Sequence, residues 1–91
     1  MLVALTALDR PGALQIRKDT RQAHLDYIAS TGVVAQAGPL LDDAGEMSGS
    51  LIILDVADME DAQAWADGDP YAKAGLFQSV TLQVWNRVIG G

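Results

Sequence analysis

The sequence predicts an α+β domain built in the order β-α-β-β-α-β. The prediction rests on an apolar run of strand length at the amino terminus, a helical stretch without internal Pro or Gly between residues 13 and 30, and a period-two alternation near the carboxyl end. The first run, Met1-Leu2-Val3-Ala4-Leu5-Thr6-Ala7-Leu8, is closed by Asp9-Arg10-Pro11-Gly12, where Pro and Gly break a strand. From Ala13 to Ser30 the residues are good helix formers, Leu14, Ala23, Leu25, Ile28 and Ala29 supply apolar positions, and Gly32 stops the helix. Val33 to Leu41 and Gly49 to Val56 read as strands. Between them Asp42-Asp43-Ala44-Gly45-Glu46 is a polar, turn-forming connection, so the two form a hairpin. Asp58 is placed to cap a second helix reaching Asp67, with Glu60 and Asp61 beside the positive end of its dipole and Gly68 as the stop. Asp69-Pro70-Tyr71 opens a short helical piece ending at Gly75. Val80, Leu82 and Val84 then alternate with Thr81 and Gln83 as a half-buried strand, and Gly90-Gly91 reads as a frayed tail.

Helices on one face of an antiparallel sheet in this order make the ferredoxin-like split motif. In the first strand Met1, Val3 and Leu5 oppose Leu2, Ala4 and Leu8; in the third, Leu51 and Ile53 oppose Ile52 and Leu54. Both faces of the sheet are therefore apolar, and only one can lie under the helices. A second copy packed sheet to sheet would cover the other, giving a dimeric α+β barrel.

Ninety-one residues fit a single domain spanning 1–91. A hydrophobic fraction of 49% with 20% charged residues is too apolar for disorder. The formal charge of −6 has the wrong sign for neutralising phosphates or an anionic bilayer, so neither nucleic acid nor membrane is expected as a partner. The absence of cysteine excludes disulfides, thiolate nucleophiles and Cys-held metals, and with one histidine no metal and no cofactor are predicted. No apolar run approaches a membrane span and the amino terminus lacks a basic leader, so the expected location is the cytoplasm. The acidic groups Asp42-Asp43 and Asp55/Asp58/Asp61 lack the spacing of a calcium loop. Gly45-x-x-x-Gly49 lacks the Lys-Ser/Thr of a phosphate loop.

The single histidine, His24, is the first candidate for acid/base work, because imidazole alone titrates near neutrality unperturbed. Arg21 and Ile28 share its stripe of the first helix; a solvated helical His beside a solvated Arg has the same spacing. Asp69 precedes Pro70 and by itself reads first as a helix cap; if its loop reaches His24, the carboxylate would instead orient the imidazole. The blocks Arg21-x-x-His24-Leu25, Ala37-Gly38-Pro39, Gly49-Ser50-Leu51 and Asp69-Pro70-Tyr71-x-x-Ala74-Gly75-Leu76 resemble, in order and spacing, the motif series of the YciI-like (YCII-related domain) family.

That resemblance covers nearly the whole chain and implies a ferredoxin-like dimeric α+β barrel, related in fold to muconolactone isomerases, with His24 and Asp69 as a catalytic pair beside a small pocket. Beside that pair, the expected roles are Arg21 on a substrate carboxylate, Ser50 as a hydrogen-bond donor, Gly38-Pro39 as close-approaching backbone or a bulge, and Tyr71 as a pocket wall offering its hydroxyl. The function expected is an enzyme isomerising, or eliminating a group from, a small anionic metabolite in lactone-like chemistry. The alternative is a dimeric binding or interaction module without catalysis.

Overall fold

The computed structural model describes residues 1–90; Gly91, the end of the expected tail, lies outside them. Strand β1 (Leu2–Asp9) is followed by α1 (Leu14–Thr31), the hairpin β2 (Val34–Leu41) and β3 (Met47–Asp55), then α2 (Met59–Gly68), the short α3 (Pro70–Lys73) and β4 (Phe77–Trp85). All strand pairs are antiparallel in the order β2-β3-β1-β4, the split motif expected from the sequence. The first and third strands, which are the most apolar, take the two central positions, and the hairpin partner and last strand form the edges.

Local chemistry accounts for the boundaries. Gly32 ends α1 in the left-handed region at φ 67°, its amide bonded to the Ile28 carbonyl, which only glycine adopts without strain. In the hairpin connection the Asp42 carboxylate accepts from the amides of Ala44 and Glu46, and Gly45 takes φ 79°. Asp58 caps α2 by accepting from the Asp61 amide at 2.9 Å. The second helix runs one residue beyond expectation, through Gly68, and β4 begins earlier, at Phe77.

The main core joins Val3, Leu5 and Ala7 of β1 and Ile52 and Leu54 of β3 to Ala62, Trp65 and Ala66 of α2. In β4 Phe77 and Leu82 pack against this core; Val80 and Val84, expected to be half-buried, are 42% and 59% exposed because they lie on an edge strand. The face away from the helices is mixed rather than uniformly apolar: Leu8 and Leu51 are exposed, while Thr6, Thr81 and Gln83 share it. After β4, Arg87 donates to the Gln36 side chain at 3.0 Å, tying the tail to the opposite edge strand. No helix among the described residues is long and apolar enough to cross a membrane.

Candidate functional site

Helix α1 is eighteen residues long, yet the residues it buries are Arg17 and His24. Together with Arg21 and Ile28 they form a stripe at steps of four, three and four, the spacing at which a helix normally presents apolar side chains to a sheet. Instead of sealing against β2 and β3, this stripe roofs a pocket of about 170 Å³ whose floor includes Pro39, Ser50 and Ile52.

His24 and Asp69 are in contact. The ring Nδ1 lies 2.7 Å from Asp69 Oδ1, with the two side chains 8% and 1% exposed. A carboxylate offers only lone pairs, so Nδ1 carries the hydrogen and donates, and Nε2 is the nitrogen left to the pocket. The same Oδ1 accepts from the Tyr71 amide at 3.0 Å, so Asp69 is both the cap of α3 and the partner of His24. Pro70 at the start of α3 holds Asp69 extended, at φ −62° and ψ 126°, and sets Tyr71 just inside the first turn. The Tyr71 ring then stacks on His24 with centroids 4.0 Å apart and planes 17° from parallel.

A second buried pair stands on the other side of Tyr71. Arg17 donates from Nε and Nη2 to the two carboxylate oxygens of Asp9, at 2.7 and 2.8 Å, and from Nη2 to Ser50 Oγ at 2.9 Å. Its guanidinium carbon lies 4.7 Å from the Tyr71 ring centroid. Burial works against the charge on Arg17, but Asp9's hydrogen bond and charge outweigh it and hold the group above its ordinary value. Burial pushes the Tyr71 phenol up, and the charges of Arg17 and Arg21 pull it part of the way back. Tyr27 is raised as well, by burial and then by the charge of Asp69.

Of the residues singled out in the sequence, His24, Arg21, Gly38, Pro39, Ser50 and Tyr71 line the pocket, and Asp69 stands behind His24. Arg21 is exposed at the mouth. Gly38 is not a bulge: the β2–β3 register shifts fall at Val34/Gln36 and Leu40/Leu41, and a Cβ on Gly38 would meet nothing within 4 Å. Arg17 and Asp9 were missed. Continuing the Arg21-His24-Ile28 stripe one turn backward reaches Arg17, whereas Asp9 read only as part of a strand-ending loop. Among the described residues no cluster of His, Cys, Asp and Glu is arranged to hold a metal.

Fold and site together define a small ferredoxin-like α+β domain with a pocket carrying buried polar side chains between its first helix and the hairpin edge of the sheet. The chain belongs to the YCII-related domain family, whose profile matches residues 1–86. It is 34% identical to the protein YciI of Escherichia coli O6:H1 over 97 aligned positions, covering 97% of this chain and 99% of that one. Among solved structures it is similar to the 5-chloro-2-hydroxyhydroquinone dehydrochlorinase TftG of Burkholderia phenoliruptrix AC1100, in complex with 2,5-dihydroxybenzoquinone. The TM-score is 0.86 at 33% identity, over 94% of each chain. An antibiotic biosynthesis monooxygenase, at TM-score 0.61 and 12% identity over 98% of this chain and all of that one, shares the fold alone.

Proposed function

We propose that the protein is a small enzyme that moves a proton on a small anionic cyclic molecule, with His24 as general base and acid and Asp69 as its orienting partner. The observation carrying this reading is the buried 2.7 Å contact between Nδ1 and the Asp69 carboxylate, which leaves Nε2 as the nitrogen open to the pocket. Nε2 removes a proton from carbon next to a carbonyl, and the electron pair of the broken C–H bond flows into the carbonyl to give an enolate. Return of that proton to another carbon completes an isomerisation. Departure of a group from the neighbouring carbon, taking its bonding electrons with it, completes an elimination, and His24 then releases the proton to water.

The remaining side chains fit this sequence of events. Arg21 at the mouth attracts the anion. The Tyr71 phenol, protonated at physiological pH as phenols ordinarily are and raised further by burial, has a proton to donate toward developing charge. Ser50 accepts from Arg17 and keeps its own hydrogen for a ligand, and Gly38-Pro39 leave backbone accessible along the rim. The similar TftG is named for removal of hydrogen chloride, which is an elimination. The reading includes a homodimer in the cytoplasm formed through the open sheet face. Leu51 and Trp85, exposed beside a groove of about 380 Å³, support it, and a solution mass of a single chain at micromolar concentration would oppose it.

Deuterium exchange tests the chemistry. Small cyclic keto acids and unsaturated lactones incubated with the protein in heavy water should lose the proton signal next to the carbonyl. His24→Gln should slow this by at least about 100-fold, the range of a lost acid/base group. Equal rates in His24→Gln reject the catalytic role, and an Asp69→Asn protein as fast as the wild type rejects the orienting one.

A further inference from the structure

We infer that the deep end of the pocket is an oxyanion site, in which Arg17 Nη1 and the Tyr71 hydroxyl hold one oxygen of a small flat anion while Asp9 and Ser50 act as positioning residues. The inference rests on the pocket being the binding site of the preceding reading, and it assigns the anchoring of the charge to a residue other than Arg21.

An inventory of donors carries it. A guanidinium has five N–H groups in a fixed plane. The one on Nε goes to Asp9 Oδ2, and those on Nη2 go to Asp9 Oδ1 and Ser50 Oγ. The Tyr71 hydroxyl is the remaining polar neighbour of the guanidinium, which leaves at least one N–H on Nη1 without a partner among the described residues, on a side chain that lines the pocket and is only 2% exposed. A buried charged group with an unspent donor on the wall of a cavity is a site awaiting an acceptor. The Tyr71 hydroxyl lies beside the same guanidinium and lines the same cavity.

Charge and rigidity point the same way. The carboxylates of Asp9 and Asp69 balance the two arginines in number, but Arg17 and Arg21 line the cavity while both carboxylates stand behind their partners, so the side turned to a ligand is positive. Arg17 is fixed by a fork onto Asp9, a bond to Ser50 and the face of Tyr71, so a ligand gains its donors without the entropy of ordering a long side chain. Arg21, on the exposed side of the stripe, must be ordered on binding and acts mainly on encounter. A cavity of about 170 Å³ restricts the ligand to a single small ring carrying a carboxylate, enolate or phenolate oxygen.

Benzoate and the uncharged benzyl alcohol of similar size serve as probes, and the ring resonances of the lone histidine and of Tyr71 report occupancy independently of turnover. Benzoate should shift and saturate both rings, with benzyl alcohol weaker by about tenfold or more. Because Arg17→Gln alone strands Asp9 in the interior, the decisive variant is the uncharged pair Asp9→Asn with Arg17→Gln, which keeps both shapes. It should lose the preference for benzoate, while Arg21→Gln should change affinity by no more than about threefold. Ser50→Ala should weaken benzoate more than it weakens benzyl alcohol. Equal binding of the two probes, full retention of the benzoate preference in the uncharged pair, or its loss in Arg21→Gln alone would each overturn the assignment. Benzoate selectivity in a protein that catalyses no deuterium exchange supports the oxyanion site and defeats only the catalytic reading.

Discussion

The two halves of the helix-covered sheet face are built to opposite rules. Under α2 the buried residues are Ala62, Trp65 and Ala66 against Val3, Leu5 and Leu54, which is ordinary close packing. Under α1 they are an arginine and a histidine, each tied to a buried carboxylate from another element. Hydrophobic burial stabilises the first half. In the second, the Arg17–Asp9 ion pair and the hydrogen bond of His24 to the Asp69 carboxylate are set against desolvation costs that they offset only partly. The lesson is where the molecule gives up packing: an eighteen-residue helix that buries no large apolar side chain has its inner stripe committed to the pocket.

The largest expected effect follows from breaking one pair on the polar side. Arg17→Met, which leaves Asp9 alone in the interior, should cost about 3–5 kcal/mol of stability. Arg17→Met with Asp9→Leu should recover that loss, or exceed the wild type by about 1–4 kcal/mol, in denaturant unfolding. A double variant no more stable than the single would mean that the pair stabilises the fold and is not retained for the pocket. On the apolar side Leu54→Ala should cost about 2–5 kcal/mol through lost transfer and a cavity. Its benzoate affinity should stay at the wild-type value, since Leu54 does not line the pocket. Altered affinity would show that the halves are coupled.

How much of this was legible in the sequence follows the same division. Strand β1, the hairpin and α2 announce themselves through apolar runs, turn residues and the Asp58 cap, because short-range physics fixes them. The stripe Arg21-His24-Ile28 was visible as spacing on one helix. The contact of His24 with Asp69 bridges 45 positions, and nothing local in either segment specifies it. Arg17 reads as one more charge on a helix that also carries Arg21 and Lys18, and its burial depends on Asp9 arriving from β1 and Ser50 from β3. Exposure of Val80 and Val84 was also hidden, since alternation marks a strand but not whether it ends up central or at an edge.

A smaller effect is expected where the halves meet. A Cβ on Gly68 would stand 2.5 Å from the Tyr27 hydroxyl, which donates to the Trp65 carbonyl at 2.9 Å. Gly68→Ala should therefore destabilise by about 1–3 kcal/mol through overpacking, despite the better helix propensity of alanine. Adding Tyr27→Phe should recover part of that loss, because it removes the colliding oxygen; additive losses in the two changes would place the strain elsewhere.

The smallest effect is a titration. The chain has two tyrosines, Tyr27 and Tyr71, and both are raised in the folded protein, by burial in each case. A folded-state value above the unfolded one means that the native protein holds the proton more tightly. The associated stability is then complete below the ordinary tyrosine range near about 10 and is lost as pH rises through the folded values. Tyrosinate absorbance should consequently appear above that range and together with unfolding, not before it; ionisation of a still folded protein at the ordinary value would contradict the burial of both phenols. Arg17 and Arg21 pull Tyr71 down, so the Arg17→Met, Asp9→Leu protein should retain the Tyr71 proton to higher pH still, while Tyr27, whose charged neighbour is Asp69, should be unaffected. A shift confined to Tyr71 would locate the influence of the Arg17 pair at the pocket end of the polar half, and an equal shift of both tyrosines would mean that the whole half responds as one electrostatic unit.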